Sequence, residues 1–398
     1  MKKLSQILNL YKRFLPIIDN TVFFTSFGGQ YSDNPKYISE KLHEIAPDIN
    51  IVWACSNFDN KTFPDYVNKV LQDSYEYYSF LNRAKVVVDN YVGIRCFGFR
   101  NKKSFLLEKL IKRKNQLCIS TWHGTPLKKI GASTLDNNPG AYVTSCDICV
   151  AGCGYTAKNL GNAYLIKDKT QITGTPRNDI LFKKDIDKLA LKSKLKLPVD
   201  KKIVLFAPTF RESIHKSGVM QFEMFDIKKI LTSLGDKFGG EFVFVFRVHH
   251  TVMEKIYNDE VIRNYEGLVF NGNIGDDMAE YISVTDVLIT DYSGSLFDFA
   301  LTGRPCFLFA PDREHYENVE RGFYMEYDSL PFPISEDNEK FIADINGFSK
   351  EEYVAKVKTF LNRIGNKEDG KASERVSKYI VEFLKNEEKN IKELDCYE

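Results

Sequence analysis

The sequence predicts an α/β protein built from two doubly wound, Rossmann-like domains. Three observations carry that prediction. Short β-rich apolar runs alternate with helical stretches, the pattern of βαβ units and parallel sheets. At 398 residues the chain is long for one core of ordinary size and suits two. A charged helical stretch from Phe182 to Pro198 separates the β-rich runs into two groups of five.

In the first group, strands are expected at Thr21 to Ser26, Ile51 to Ala54, Lys85 to Asp89, Leu117 to Thr121 and Asp147 to Val150. Pro35 suits the first turn of a helix over Lys36 to Glu44. In the second group they are expected at Ile203 to Phe206, Phe242 to Arg247, Leu268 to Phe270, Val287 to Ile289 and Cys306 to Phe309. From Ser373 to Leu394, Val376, Tyr379, Ile380, Phe383 and Leu384 recur at helical spacing, which predicts a packing helix. The expected division is an N-terminal domain over 1–185, a connection over 186–200, a C-terminal domain over 201–370 and the terminal helix over 371–398. Two such domains facing a central cleft form a GT-B-like architecture, and ligands in such sheets sit beyond the carboxyl ends of the strands.

Composition excludes some partners. Lys plus Arg is 55 against 54 for Asp plus Glu, so there is no global nucleic-acid footprint. A hydrophobic content of 43 % with 13 % aromatics argues for a folded globule. No uninterrupted apolar run approaches the ~20 residues needed to span a bilayer. Leu4, Ile7, Leu8, Tyr11, Phe14 and Leu15 share one helical face, flanked by Lys2, Lys3, Lys12 and Arg13. That face over 1–18 suits a helix lying on an anionic membrane surface, or a first helix packed on its own domain.

Eight cysteines without an export signal predict a reduced, cytoplasmic setting. Cys146-x-x-Cys149-x-x-x-Cys153 has the look of a metal motif. On a strand over 146–150, however, Cys146 and Cys149 face opposite sides, and no second ligand pair lies nearby. Asp185-Ile186-Asp187 lies in a lysine-rich stretch, where surface charge pairing explains it. No metal and no cofactor are therefore expected.

Chemistry concentrates at strand exits. Ser120 to Gly131 begins at the polar end of Leu117-Cys118-Ile119 and places His123 beside Gly124, ahead of Lys128 and Lys129. An imidazole of ordinary pKa, about 6.5, accepts a proton from an attacking hydroxyl at neutral pH. Gly124 admits a close approach to the backbone, and the lysines offer charge for a phosphate. A loop histidine followed by solvated lysines is the plain alternative. Thr290 to Phe299 follows the apolar run Val287-Leu288-Ile289, and its hydroxyl and glycine turn suits an anion or a simple helix cap.

Together these segments resemble the CDP-glycerol glycerophosphotransferase family of teichoic-acid primases and polymerases. The family's hallmarks are Trp-His-Gly-Thr-Pro-Leu-Lys, Ala-Pro-Thr-(Phe/Trp)-Arg, Arg-x-His-Pro and Thr-Asp-Tyr-Ser-Ser-x-x-Phe-Asp. Here they read Trp122 to Lys128, Ala207 to Arg211, Arg247 to His250 and Thr290 to Asp298. Weaker likenesses are Ser26-Phe27-Gly28, Tyr31 to Lys36 and Gly174 to Asp179, which includes Arg177. Two positions depart from the pattern. His250 stands where proline is usual, and Gly294 where a second serine is usual, with Ser295 next to it. These departures bear on donor identity.

The resemblance implies that a hydroxyl of a lipid-linked cell-wall or capsule glycan attacks the β-phosphorus of CDP-glycerol or a related CDP-polyol, releasing CMP. His123 is the candidate base, and a protonated His249 is a candidate general acid that gives its proton to the leaving oxygen. Thr209, Arg211, Arg247, Ser293, Ser295 and Asp298 are expected on the donor and its phosphates. Gly124, Lys128 and Arg177 are expected on the acceptor or phosphate side. It also implies a cytoplasmic protein peripherally attached to the inner face of the membrane. Ribitol phosphate transfer, a nucleotide-sugar glycosyltransferase or epimerase on the same fold, and a non-catalytic envelope scaffold are the competing readings.

Overall fold

The computed structural model describes residues 14–91, 113, 115–134, 146–209, 225–248, 265–320 and 322–385. The amphipathic stretch up to residue 13, together with Arg211, His249 and His250, lies outside the described residues. Every strand pairing within the two sheets is parallel. The fold is α/β and GT-B-like, with two Rossmann-like units.

The first sheet holds β1 (Ile18–Thr25), β2 (Asn50–Cys55), β3 (Asn68–Leu71), β4 (Ala84–Asp89), β5 (Leu117–Ser120), β6 (Ile148–Ala151) and β7 (Thr170–Ile172). Its order is β3-β2-β1-β4-β5-β6-β7, which reverses direction between β1 and β4. Both faces are covered, as a parallel sheet requires. Val22 and Phe24 pack with Ile38 and Leu42 of α1 (Asp33–Ile45), whereas Phe23 faces Tyr77 and Leu81 of α2 (Tyr75–Arg83). The β-strand period of two thus distributes one apolar run to two cores.

The second sheet holds β8 (Lys202–Phe206), β9 (Phe242–Phe246), β10 (Val269–Asn271), β11 (Val287–Thr290), β12 (Cys306–Phe309) and β13 (Ile334–Ser335). Its order, β10-β9-β8-β11-β12-β13, reverses between β8 and β11. Phe206, Phe225, Phe244, Phe309 and Phe341 form the aromatic centre, with the Phe225 and Phe309 rings 4.4 Å apart.

The units are not two consecutive blocks of chain. One comprises 1–124, 130–182 and 366–398; the other comprises 125–129 and 183–365. The stretch expected to be a connection belongs to the second unit. There the helix Lys188–Lys194 places Lys194 Nζ 2.7 Å from Glu280, and Leu195 is buried. Asp187 caps that helix by accepting from Ala190 N, which gives this member of the Asp-x-Asp pair a structural role. The terminal helix Ala372–Lys385 returns to the first unit. Its Val376 and Ile380 join the core beside Ile38, and Ser377 Oγ donates to the Ile38 carbonyl.

Helix α1 starts at Asp33, three residues earlier than the pattern predicts, which makes Pro35 its third residue. β6 starts at Ile148, so Cys146 precedes the strand. Cys146 and Cys149 therefore enter one core cluster with Leu160 and Ile166 instead of facing opposite sides. Burial raises the Cys149 thiol well above its usual range. Cys153 caps the helix Gly154–Tyr164 through Thr156 N.

Candidate active site

In each unit the described motif residues follow the carboxyl ends of strands at, or next to, the point where the strand order reverses, the region in which doubly wound sheets bind ligands. In the first unit, β5 ends at Ser120 and the chain turns through Thr121, Trp122, His123 and Gly124. The turn is strained: Trp122 has φ of +50° and Gly124 has φ of +122°. A non-glycine residue in the left-handed region costs roughly 1–2 kcal/mol and persists where its surroundings hold it. Here the holder is Asn34, whose Nδ2 donates to the carbonyls of Thr121 and Trp122 at 3.2 and 3.1 Å.

The His123 ring lies half-buried among aromatic neighbours. Trp122 is 3.9 Å away by ring centroid, and Phe27 and Tyr91 approach edge-on at 5.6 and 5.8 Å. Its Nδ1 is 2.9 Å from the main-chain oxygen of Asn90, the first residue beyond β4. Behind the ring, Arg177 Nη1 donates to Asp33 Oδ1 at 2.7 Å and to the His123 carbonyl at 2.9 Å. Arg177 N also donates to Asn34 Oδ1 at 3.0 Å.

Arg177 was expected on the acceptor or phosphate side. The structure instead places it in a buried ion pair that grips the histidine's backbone. Gly124 is glycine for the same reason. A Cβ there would lie 2.4 Å from Arg177 Nη2, and the positive φ disfavours a side chain in any case. Asn90 escaped the motif search, and Asp33 and Asn34 lay in the weaker Tyr31 to Lys36 likeness with no role assigned to them. The signals that could have found them are the polar pair Asp89-Asn90 directly after the apolar run Val86-Val87-Val88, and the polar Ser32-Asp33-Asn34 stretch heading α1.

In the second unit, Asp291 joins the exits of β8 and β11. Its Oδ1 accepts from Thr209 N at 2.7 Å and from Tyr292 N at 2.5 Å. Ser295 Oγ donates to Ser293 Oγ at 3.1 Å, which brings both hydroxyls to one spot. Tyr292, Phe297 and Phe299 are buried packing residues, as expected. Tyr292 stacks on Tyr316 at 4.1 Å and donates its hydroxyl to Asp312. Asp298, expected against the donor's hydroxyls, is only 2 % exposed and occupies an interior position in the short helix Ser295–Ala300.

Arg247, expected on the donor and its phosphates, is held by main-chain carbonyls. Its Nη1 donates to the carbonyls of Gly272 and Gly275, and its Nη2 to that of Asp276. Its guanidinium lies 4.6 Å from the centroid of the Tyr281 ring. Burial lowers its pKa, opposed by Tyr281 and Asp277. These contacts brace the 272–276 loop.

Lys128 belongs to the second unit. Its backbone bridges Phe323 antiparallel, Tyr324 N donates to the Leu127 carbonyl, and Lys129 N donates to the Gly322 carbonyl. The same segment explains Gly294. Its backbone is ordinary, with φ −61° and ψ −14°, yet a Cβ would lie 2.6 Å from the Thr125 carbonyl oxygen. Gly294→Ser is expected to displace Thr125 and destabilise the protein by roughly 1–3 kcal/mol. A thermal midpoint lowered by several degrees checks this, and an unchanged midpoint shows that the turn has room.

Among the described residues, no group of three or more His, Cys, Asp or Glu side chains is arranged to hold a metal ion. Nor is any described helix long and apolar enough to cross a membrane.

A family model described as CDP-glycerol:poly(glycerophosphate) glycerophosphotransferase matches residues 7–382. A teichoic acid poly(glycerol phosphate) polymerase of Staphylococcus epidermidis is 30 % identical over 387 residues, covering 92 % of this chain and 51 % of that protein. The chain thus spans about half the length of that relative. A teichoic acid glycerol-phosphate transferase of Staphylococcus aureus is 31 % identical over 384 residues, covering 91 % of this chain and 92 % of that protein. The solved structure of the wall teichoic acid polymerase TagF superposes with a TM-score of 0.77 at 27 % identity, covering 96 % of this chain and 97 % of that one.

Proposed function

This chain belongs to the CDP-glycerol:poly(glycerophosphate) glycerophosphotransferase family, and from that premise we propose that it transfers glycerol phosphate from CDP-glycerol to a hydroxyl of a lipid-linked cell-envelope glycan. The acceptor oxygen attacks the β-phosphorus, its proton passes to His123 Nε2, and the bond from that phosphorus to the bridging oxygen breaks. CMP leaves with the electron pair and a phosphodiester forms. Catalysis of such a transfer depends mainly on positioning and charge stabilisation.

The observation that carries this reading is the His123–Asn90 contact. A carbonyl oxygen only accepts, so at 2.9 Å the ring carries its hydrogen on Nδ1. The basic lone pair then sits on Nε2. Thr209 and the Ser293–Ser295 hydroxyl pair are the donor-side groups, with Arg211 and His249 contributed by the motifs of the same unit. An acceptor of this kind would draw the protein to the inner face of the membrane, with the basic, amphipathic sequence ahead of β1 as the contact.

The test is nucleotide release with a lipid-disaccharide acceptor: CMP from CDP-glycerol or CDP-ribitol, and UDP from a UDP-sugar. CMP from CDP-glycerol is the expected result. CMP from CDP-ribitol alone makes the chain a ribitol-phosphate transferase. CMP from neither donor rejects the reading.

A further inference from the structure

We propose that Asn90 is the positioning residue of His123: its main-chain carbonyl selects the ring tautomer, and its side chain pins that carbonyl in place. The inference deepens the reading of His123 as the base and rests on it. A neutral imidazole has two tautomers, and the hydrogen bond made by one nitrogen decides which nitrogen keeps the lone pair. With Nδ1–H donated to Asn90, the acceptor hydroxyl meets Nε2 as a proton acceptor. With the other tautomer it meets an N–H group and no base.

The carbonyl can act this way only if it is fixed, and three contacts fix it. Asn90 is 0 % exposed. Its Nδ2 donates to Asp33 Oδ2 at 2.7 Å and to Ser26 Oγ at 3.1 Å, and its Oδ1 accepts from Phe27 N at 3.4 Å. Ser26 and Phe27 follow β1, Asp33 opens α1, and Asn90 follows β4. The residue is therefore tied to both strands that flank the reversal of the sheet. The edge-on rings of Phe27 and Tyr91 restrict rotation of the imidazole away from this carbonyl. An asparagine that merely closed the β1/β4 crossover would make the same side-chain contacts and leave the tautomer undetermined, so the tautomer is the observable that separates the two roles.

The test uses the full chain, labelled with 15N-histidine, in long-range proton–nitrogen correlation spectra. The His123 signals are assigned by comparison with His123→Asn. The wild-type ring is expected in the Nδ1–H form above its pKa. Asn90→Ala is expected to shift it towards Nε2–H. The same variant should lower kcat for CMP release by about 10- to 100-fold, the loss that removing a histidine-orienting contact brings at metal sites, with the KM for CDP-glycerol within about threefold. A wild-type Nε2–H ring overturns the proposal, as does an Asn90→Ala protein that keeps both tautomer and kcat. Should Asn90→Ala fail to melt cooperatively, Ser26→Ala removes one anchor only. It is expected to move both readouts in the same direction by less, and no movement overturns the proposal. A fully active His123→Ala with a wild-type Nδ1–H ring ends the base reading and leaves the contact standing. An inactive His123→Ala beside an unaffected Asn90→Ala ends the positioning role alone.

Discussion

His123→Ala lowers CMP release from CDP-glycerol by at least about 100-fold, and by up to about 10,000-fold, the range that general-base help supplies. In barrier terms that is roughly 3–5 kcal/mol. Donor binding should change little, because the groups expected on CDP-glycerol belong to the other folding unit. The fold should survive as well. The turn is held through main-chain carbonyls by Asn34 and Arg177, and those contacts do not use the imidazole. The variant does lose ring contacts with Trp122, Phe27 and Tyr91, so a melting curve belongs beside the kinetics. Turnover near the wild-type level in a folded variant removes His123 from the role of base.

The two sheets were legible in the sequence because their central strands are buried on both faces and read as continuous apolar runs. Val86-Val87-Val88 and Phe242 to Phe246 have no other ready interpretation. The three strands that escaped notice, Asn68–Leu71, Thr170–Ile172 and Ile334–Ser335, are all at sheet edges. An edge strand of two to four residues, half open to water, carries Asn, Lys, Thr and Gln and loses the apolar signature. The interleaving of the units was hidden for a different reason. Nothing in Thr125 to Lys129 announces that it pairs with residues 322–324, because such pairing is made by backbone groups.

The candidate site divides along a similar line. His123, Thr209, Ser293 and Ser295 stand in local motifs at strand exits, and the structure leaves them at those exits. What surrounds them is non-local. Asp33 reaches Arg177 across 144 residues of sequence, and Asn90 reaches His123 across 33. Such partners are buried polar side chains, whose cost when unsatisfied makes their pairing obligatory in the fold. A single sequence does not say which polar residue pairs with which. That is why the contact of Arg177 with Asp33, and of Arg247 with a ring of carbonyls, could not be read there.

Arg177→Met is expected to destabilise the protein by about 3–5 kcal/mol, the penalty for leaving one member of a buried ion pair without its partner. Asp33 is 4 % exposed and Arg177 8 %, so water does not take over the lost contact. Asp33→Asn should cost a similar amount, because the guanidinium is then the uncompensated charge. The double variant Asp33→Asn/Arg177→Met leaves no charge in the interior. Its stability should return to within about 1–2 kcal/mol of wild type, since replacing both members of such a pair is often close to neutral. Denaturant melts of the four proteins form a double-mutant cycle whose coupling term reads the pair directly. A substrate-binding arginine predicts a different pattern: wild-type melting for Arg177→Met, a raised KM for acceptor or donor, and no recovery in the double variant. The gap between the two outcomes is several kcal/mol, well beyond the error of the measurement, so the cycle decides whether Arg177 serves the substrate or the histidine that acts on it.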